Sequence, residues 1–312
     1  MIKERFMNTR RLSIAYWKTI ALVGLIVAIG CSGFVFGQGG IFDLSLRAKA
    51  VAPRKGVTTV LPRPNHVLIV IEENHAYSEI IGSSSAPYIN SLASQGAVLT
   101  NSHAVTHPSE PNYLALFAGS TFGLSDDSCP HTFTSANLAQ ELIKAKSSFG
   151  GYSEDLPNIG STSCSSSNYA RKHNPWVNFV NVPSSANMPL TRFPVNPANY
   201  RSLPTISIVI PNLQNDMHDG TIEQGDTWLK SHIDSYVKWA KTNKSLLIVT
   251  WDEDDNSNAN QIPTIFVGPM VKAGNYSVKV NHYNVLRTLE AMYRLPYANQ
   301  SASAATITNI WR

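Results

Sequence analysis

Cysteine is scarce in this chain of 312 residues: Cys31, Cys129 and Cys164 are its only thiols. The chain is therefore no disulfide-dense scaffold, and with 43% hydrophobic residues it has enough apolar material to bury a large core without one. A surplus of charge is also missing where it would matter. Five of the 25 Lys and Arg and one of the 21 Asp and Glu lie in residues 1–40, so the rest of the chain carries 20 of each and has no basic footprint for nucleic acid. No internal repeat is present, which excludes a solenoid or propeller array.

Long apolar runs are nearly absent too. Ile20–Phe36 is the one sustained example, and it follows a basic segment holding Lys3, Arg5, Arg10, Arg11 and Lys18. That layout predicts a signal peptide or N-terminal membrane anchor over residues 1–37, since about 17 apolar residues sit at the lower limit for spanning a bilayer. Ala28-Ile29-Gly30-Cys31 is a weaker lipoprotein-type box. The chain is expected to be secreted or anchored on the extracytoplasmic side. Residues 38–64 read as a Gly- and Pro-containing linker, and 65–312 as one catalytic domain. With Cys31 in the leader, Cys129 and Cys164 remain as a pair. Closing their loop of about 36 residues is worth roughly 3 to 4 kcal/mol in an oxidising compartment, and a disulfide is expected.

Strands and helices alternate along the domain. Val67–Ile71, Ala97–Leu99, Ser148–Tyr152, Ile206–Ile210, Leu246–Thr250 and Thr264–Val267 read as buried strands. Pro87–Gln95, Asn137–Ala145, a segment carrying Trp228, Leu229, Ile233, Tyr236, Val237 and Ala240, and Val285–Tyr293 read as amphipathic helices. The expected class is α/β, a mostly parallel central sheet with helices on both faces. Ser153–Pro204, rich in Ser, Asn and Pro, reads as a long irregular lid or rim.

Thr106–Gly119 organises the chemistry. Two prolines hold its first half extended, and its apolar second half reads as a short buried helix ending at Gly119. Ser109 sits at the helix entrance, where a phosphate could rest on free N–H groups, or where the serine could serve simply as an N-cap. Three strands discharge into polar clusters: Glu73-Asn74, Asp216-Met217-His218-Asp219 and Asp252-Glu253. In parallel sheets ligands bind beyond the carboxyl ends of the strands, and that many carboxylates at one edge call for a cation.

Glu73-Asn74 after the first strand, Ser109-Glu110-Pro111-Asn112 at a helix start, Asp252-Glu253 after a late strand and His282-Tyr283 before the last helix resemble the bacterial phosphoesterase family. It holds secreted acid phosphatases and phospholipases C within the alkaline phosphatase superfamily. The likeness spans Val67 to Trp311 and implies an alkaline-phosphatase-like fold. It implies Ser109 as nucleophile forming a phosphoserine, with Glu73, Asp252, Glu253 and the Ser109 oxygen holding a divalent metal ion. Asn74, Asn112 and His218 would contact phosphoryl oxygens. Asp216, Asp219, Asp226 and His282 are weaker candidates for a second ion, with Asp226 alternatively serving a helix start and His282 the leaving group or a helix cap.

An oxygen-rich ligand set suits Mg, Ca or Mn better than Zn. Carboxylates stay ionised in mild acid, which implies an acidic optimum; a steady rise in activity from about pH 5 to about pH 9 would contradict it. His75 and His107 are expected to support the site, and His103, His131, His173 and His232 to be structural. The expected substrate is a phosphomonoester. Short acid phosphatases of the family, including ones acting on phosphatidylinositol 3-phosphate, match in size, which makes a phosphoinositide a candidate. A membrane enters only through the N-terminal segment or a lipid substrate. The rivals are a phosphodiesterase or phospholipase C, and a non-catalytic surface binding protein.

Overall fold

The computed structural model describes residues 60–312. The expected leader, Cys31 and the linker up to residue 59 lie outside the described residues. No helix among the described residues is long and apolar enough to cross a membrane.

Eight strands form the central sheet: β1 (Val67–Glu72), β2 (Ala97–Leu99), β3 (Phe149–Ser153), β4 (Asn187–Pro189), β5 (Ile206–Ile210), β6 (Leu246–Trp251), β7 (Thr264–Val267) and β8 (Gly274–Tyr276). Their order is β8-β2-β7-β6-β1-β5-β3-β4. β1 lies at the centre, parallel to β5 on one side and β6 on the other, with Ile69 opposite both Ile208 and Ile248. Every residue of β1 is buried, as its unbroken apolar run requires of a strand covered on both faces.

Five main helices cover the sheet: α1 (Pro87–Gln95), α2 (Ser109–Ala118), α3 (Leu138–Lys144), α4 (Ile222–Ala240) and α5 (His282–Tyr293). Val67, Ile69 and Ile71 pack with Leu114, Phe117, Leu142 and Leu286, which places α2, α3 and α5 on one face. Leu68 and Val70 point the other way, into a core with Leu92, Leu229 and Ile233 of α1 and α4. Strand alternation in β1 thus divides the two layers.

Two details add to the expected mostly parallel sheet. β7 runs antiparallel to both β6 and β2. Residues 252–263, between β6 and β7, contain no helix that could carry the chain back for a parallel return. The Ser153–Pro204 rim is also more structured than its composition suggests: it supplies edge strand β4 and buries Trp176, Phe193 and Tyr200. Gly151 of β3 makes room for Trp176, since a Cβ there would meet the indole at 2.2 Å. Cys129 and Cys164 form the expected disulfide, which ties the rim to the loop after α2.

Candidate active site

Ser109 is the first residue of α2, and the cap position is Pro108, in extended geometry. The serine is therefore not the N-cap, and its hydroxyl is free for other work. All ten residues of α2 are buried. The helix ends at Gly119, whose φ of 69° and approach to the Ala298 carbonyl, 2.1 Å from a notional Cβ, exclude a side chain. Asn112, one turn on, ties the preceding loop together. Its Oδ1 accepts from the Val105 and Thr106 N–H groups at 2.9 and 3.1 Å, and its Nδ2 donates to the Thr106 and Pro108 carbonyls at 2.8 and 3.1 Å. The amide expected on a phosphoryl oxygen is thus engaged in holding the loop that leads to Ser109; its one reach toward the site is Nδ2 to Glu253 Oε2 at 3.4 Å.

The ends of β1, β5 and β6 are stitched by main-chain bonds from Glu73 N–H to the Asp216 carbonyl (2.8 Å) and from Asp252 N–H to the Glu72 carbonyl (3.0 Å). Asn74 turns the chain with φ of 55°, a conformation asparagine tolerates, and its N–H donates to Asp252 Oδ1 at 3.2 Å. This brings Glu73, Asp252 and Glu253 to one edge of the sheet, with Glu73 and Glu253 against the serine. Ser109 Oγ lies 3.1 Å from Glu73 Oε2 and 3.3 Å from Glu253 Oε1. A hydroxyl has one proton and can satisfy one of them.

His173, expected to be structural, lies in the middle of the site. Its Nε2 is 3.0 Å from Glu73 Oε1 and its Nδ1 is 3.1 Å from Asp216 Oδ2, while its ring stacks on Tyr113 at 5.1 Å. Tyr113 Oη donates to the same Glu73 Oε1. The nearest thing to a signal in the sequence was Arg171-Lys172-His173, a basic cluster inside an otherwise polar, uncharged stretch. Its neighbour Lys172 donates to Asp127 Oδ2 at 3.0 Å and to His218 Nε2 at 3.1 Å. The other ring nitrogen of His218, Nδ1, lies 2.7 Å from Asp219 Oδ1. Tyr113, Asp127 and Lys172 were not singled out from sequence either.

Burial raises the pKa of Glu73, yet the His173 imidazolium and its contacts outweigh this and hold the carboxyl below its ordinary value. His173 is held above the usual histidine value by Glu73 and Asp216, against the opposing effect of burial. Asp252 has no histidine paired to it, and burial followed by repulsion from Glu73 and Glu253 pushes it well up. Glu253 rises for the same reasons, burial first and then Glu73 and Asp127, with Ser109 and Lys172 pulling back. Lys172, lowered by burial, ends above the ordinary lysine value because Glu73, Asp127 and Asp252 face it.

The remaining candidates separate by position. Asp216 is fully buried and braces His173 and the His218 N–H (2.9 Å). Asp219 is exposed, bound to His218. Asp226 does not join the cluster: its carboxylate accepts the Tyr88 and Ile89 N–H groups at 3.0 and 2.7 Å, so it neutralises the first turn of α1. His282 caps nothing, since Asn281 does that; its Nε2 donates to the Asp252 carbonyl at 2.7 Å. His107 brings Nδ1 to 2.7 Å from Glu253 Oε2, while His75 pairs with Glu79 away from this contact set.

The donor set fits a cation. Asp252 Oδ2 is sealed from solvent without any partner, and two carboxylates compete for one serine proton. Glu73, His173 and His218 also place ligand atoms within 4.8 Å of one another. The imidazoles of His173 and His218 add nitrogen donors to the carboxylate and serine-oxygen set expected for the first ion.

A buried serine hydroxyl at the head of α2 thus lies against carboxylates at the carboxyl edge of a mostly parallel sheet, the edge where ligands bind in such folds. Residues 83–296 match the Phosphoesterase family, and the chain belongs to it. The chain is 51% identical over 296 residues to the phosphatidylinositol-3-phosphatase of Mycobacterium tuberculosis, covering 95% of this chain and 94% of that protein. It is 34% identical to an acid phosphatase of Aspergillus fumigatus, covering 70% of this chain and about half (53%) of the fungal protein. Among solved structures, an alkaline phosphatase superfamily protein of Vibrio parahaemolyticus matches with a TM-score of 0.56 at 11% identity, over 80% of this chain and 72% of that one. The lipoteichoic acid synthase LtaP of Listeria monocytogenes matches with 0.58 at 10%, over 81% and 77%. The fold is that of the alkaline phosphatase superfamily, and the protein is a hydrolase of the phosphatase type.

Proposed function

We propose that this phosphatase is an exported, metal-dependent phosphomonoesterase of the acid phosphatase type that works through a phosphoserine at Ser109, with a phosphoinositide head group as its substrate class. The observation that carries the reading is the position of Ser109 Oγ, between Glu73 and Glu253 at the entrance of α2. The hydroxyl attacks phosphorus, its proton passes to a flanking carboxylate, and the ester P–O bond breaks as the alcohol leaves and takes up a proton. Water then attacks the phosphoserine, which releases inorganic phosphate and restores the hydroxyl.

Glu73, Asp252, Glu253 and the Ser109 oxygen are the residues that would hold one divalent ion, Mg, Ca or Mn ahead of Zn. Such an ion favours the serine alkoxide and neutralises charge on the phosphoryl oxygens when bound. Asn74 and His218 flank it for substrate contact, and His173 and Tyr113 fix the orientation of Glu73. The phosphoinositide assignment rests on likeness to the mycobacterial phosphatase, whose name carries that substrate, and on coverage of nearly its whole length. Export rests on the Ile20–Phe36 run and on a disulfide in the mature domain.

The test is phosphate release by the purified protein from p-nitrophenyl phosphate, its bis ester and short-chain phosphatidylinositol 3-phosphate. Ser109→Ala is expected to lower turnover of the monoesters by about ten-thousandfold, and dialysis against chelator to abolish it until a divalent ion is restored. Faster turnover of the bis ester would favour the phosphodiesterase reading, and unchanged turnover in Ser109→Ala would end the phosphoserine mechanism.

A further inference from the structure

Asp127 makes an unusual pair of contacts. One carboxylate oxygen, Oδ1, accepts the Glu110 N–H at 2.8 Å, the first main-chain donor after the nucleophile. The other, Oδ2, accepts from Lys172 Nζ at 3.0 Å. An anion therefore already bridges the head of the nucleophile helix and an ammonium. These are the two kinds of donor that the non-bridging oxygens of a phosphoryl group on Ser109 need.

Asp127 is not a local cap of α2. It arrives from the loop beyond the helix, two residues before the disulfide cysteine Cys129, whose partner Cys164 stands a short way upstream of Lys172. The disulfide therefore ties together the two segments that carry the pair. The Asp127 side chain keeps 25% of its surface exposed and Lys172 19%, so the contact lies at the mouth of the site while Glu73 and Asp252 lie sealed behind it. Asp127 repels Glu253 and Lys172 attracts it, which puts both within electrostatic reach of the Ser109 cluster. Asp127 adds a further carboxylate near Glu253, and Lys172 and the Glu110 N–H offset the repulsion.

We propose that Lys172 is a substrate-contacting residue whose ammonium takes a non-bridging phosphoryl oxygen, and that Asp127 occupies that oxygen's place in the free enzyme. Substrate entry moves the Asp127 carboxylate toward the solvent it already faces and leaves Glu110 N–H and Lys172 to the phosphoryl group. A monoester dianion brings more charge to this pair than a diester monoanion, so Lys172 also sets the preference for monoesters. The inference deepens the phosphomonoesterase reading and rests on it for the position of the phosphoryl group.

The experiment is calorimetric titration of inorganic phosphate into the metal-loaded protein and its Lys172→Met, Lys172→Arg and Asp127→Asn variants, with kcat and KM measured on p-nitrophenyl phosphate and its bis ester. Lys172→Met is expected to weaken phosphate binding by about tenfold or more and to penalise the monoester more than the diester, and Lys172→Arg to restore most of the loss. Asp127→Asn removes the competing charge and is expected to tighten phosphate binding by about threefold or more. Wild-type affinity in Lys172→Met overturns the contact. Weakened or unchanged binding in Asp127→Asn overturns the stand-in role, and this holds even if Lys172→Met fails to fold. The titration needs no turnover, so wild-type protein that binds phosphate in this order but releases none from esters would refute the phosphatase mechanism and leave the contact standing.

Discussion

Glu72 and Glu73 are neighbours in sequence, equally buried, and chemically opposite. Alternation along β1 sends Glu73 to the α2 side, where Tyr113, His173 and Ser109 surround it. Glu72 turns to the other layer, where both its oxygens lack partners. Burial, followed by repulsion from Asp216, Glu73, Asp226 and Glu154, holds its pKa well above the ordinary carboxylate value. Glu73 is wired to a counter-charge and hydrogen-bond donors, whereas Glu72 has neither and its pKa stands raised. A carboxylate at a strand end is thus no evidence of chemistry until its counter-charges are known.

The largest predicted effect breaks the wired member. Glu73→Gln removes the charge that faces Ser109 and His173 and is expected to lower kcat/KM on a monoester by about a thousandfold, whereas Glu72→Gln stays within about threefold of wild type. Steady-state kinetics on the two variants checks the contrast; equal losses would dissolve it. Next in size, His173→Asn deprives Glu73 of its counter-charge and makes it resemble Glu72, with an expected loss of about a hundredfold. The same variant should move the acid limb of the pH–rate profile upward, because Glu73 then ionises at higher pH.

A third prediction concerns the support behind Asp252. His282 is buried and pushed down to about 4, mainly by loss of solvent and only partly countered by its bond to the Asp252 carbonyl. The unfolded chain takes up that proton below about pH 6.5 and the folded one does not until about pH 4. Stability is therefore complete above about pH 6.5 and falls as pH drops toward 4, by about 3 kcal/mol for this one group. Denaturant titrations across that range should show the slope in wild type and a flatter line in His282→Asn.

The last prediction belongs to Glu72. Its folded pKa lies above its unfolded one, so the stability it contributes is complete below about pH 4.5 and is lost as pH rises. Each pH unit over which only the folded state keeps the proton costs at most about 1.4 kcal/mol. Glu72→Gln should match wild type near pH 4 and melt higher than wild type at pH 8, which calorimetry can follow. A lower melting point at pH 8 would mean that Glu72 is charged in the folded protein.

The contrast also explains which features could be read without a structure. Strand runs, helix spacing and the glycine at the end of α2 depend on neighbours along the chain, and Pro87–Gln95 and Thr264–Val267 have the bounds the sequence pattern predicts. Three polar clusters after three strands located the reactive edge for the same reason, because β1, β5 and β6 are adjacent and parallel. Direction and partnership were another matter. The antiparallel course of β7, the engagement of Asp226 by α1, the tying of Asn112 to its own loop and the arrival of His173 and Lys172 from the rim each depend on contacts that the linear pattern does not encode.

The amino-acid sequence by itself determined the α/β alternation, the strand ends that gather the polar clusters and the place of Ser109 at a helix start, because periodicity and turn chemistry act over a few residues. Only the tertiary structure decided which carboxyls gain counter-charges, which amide is tied to its own loop and which cations face the acidic cluster. Those states are fixed by burial and by charges at 3 Å contributed from segments far apart along the chain, and distance in space is what the folded chain alone supplies.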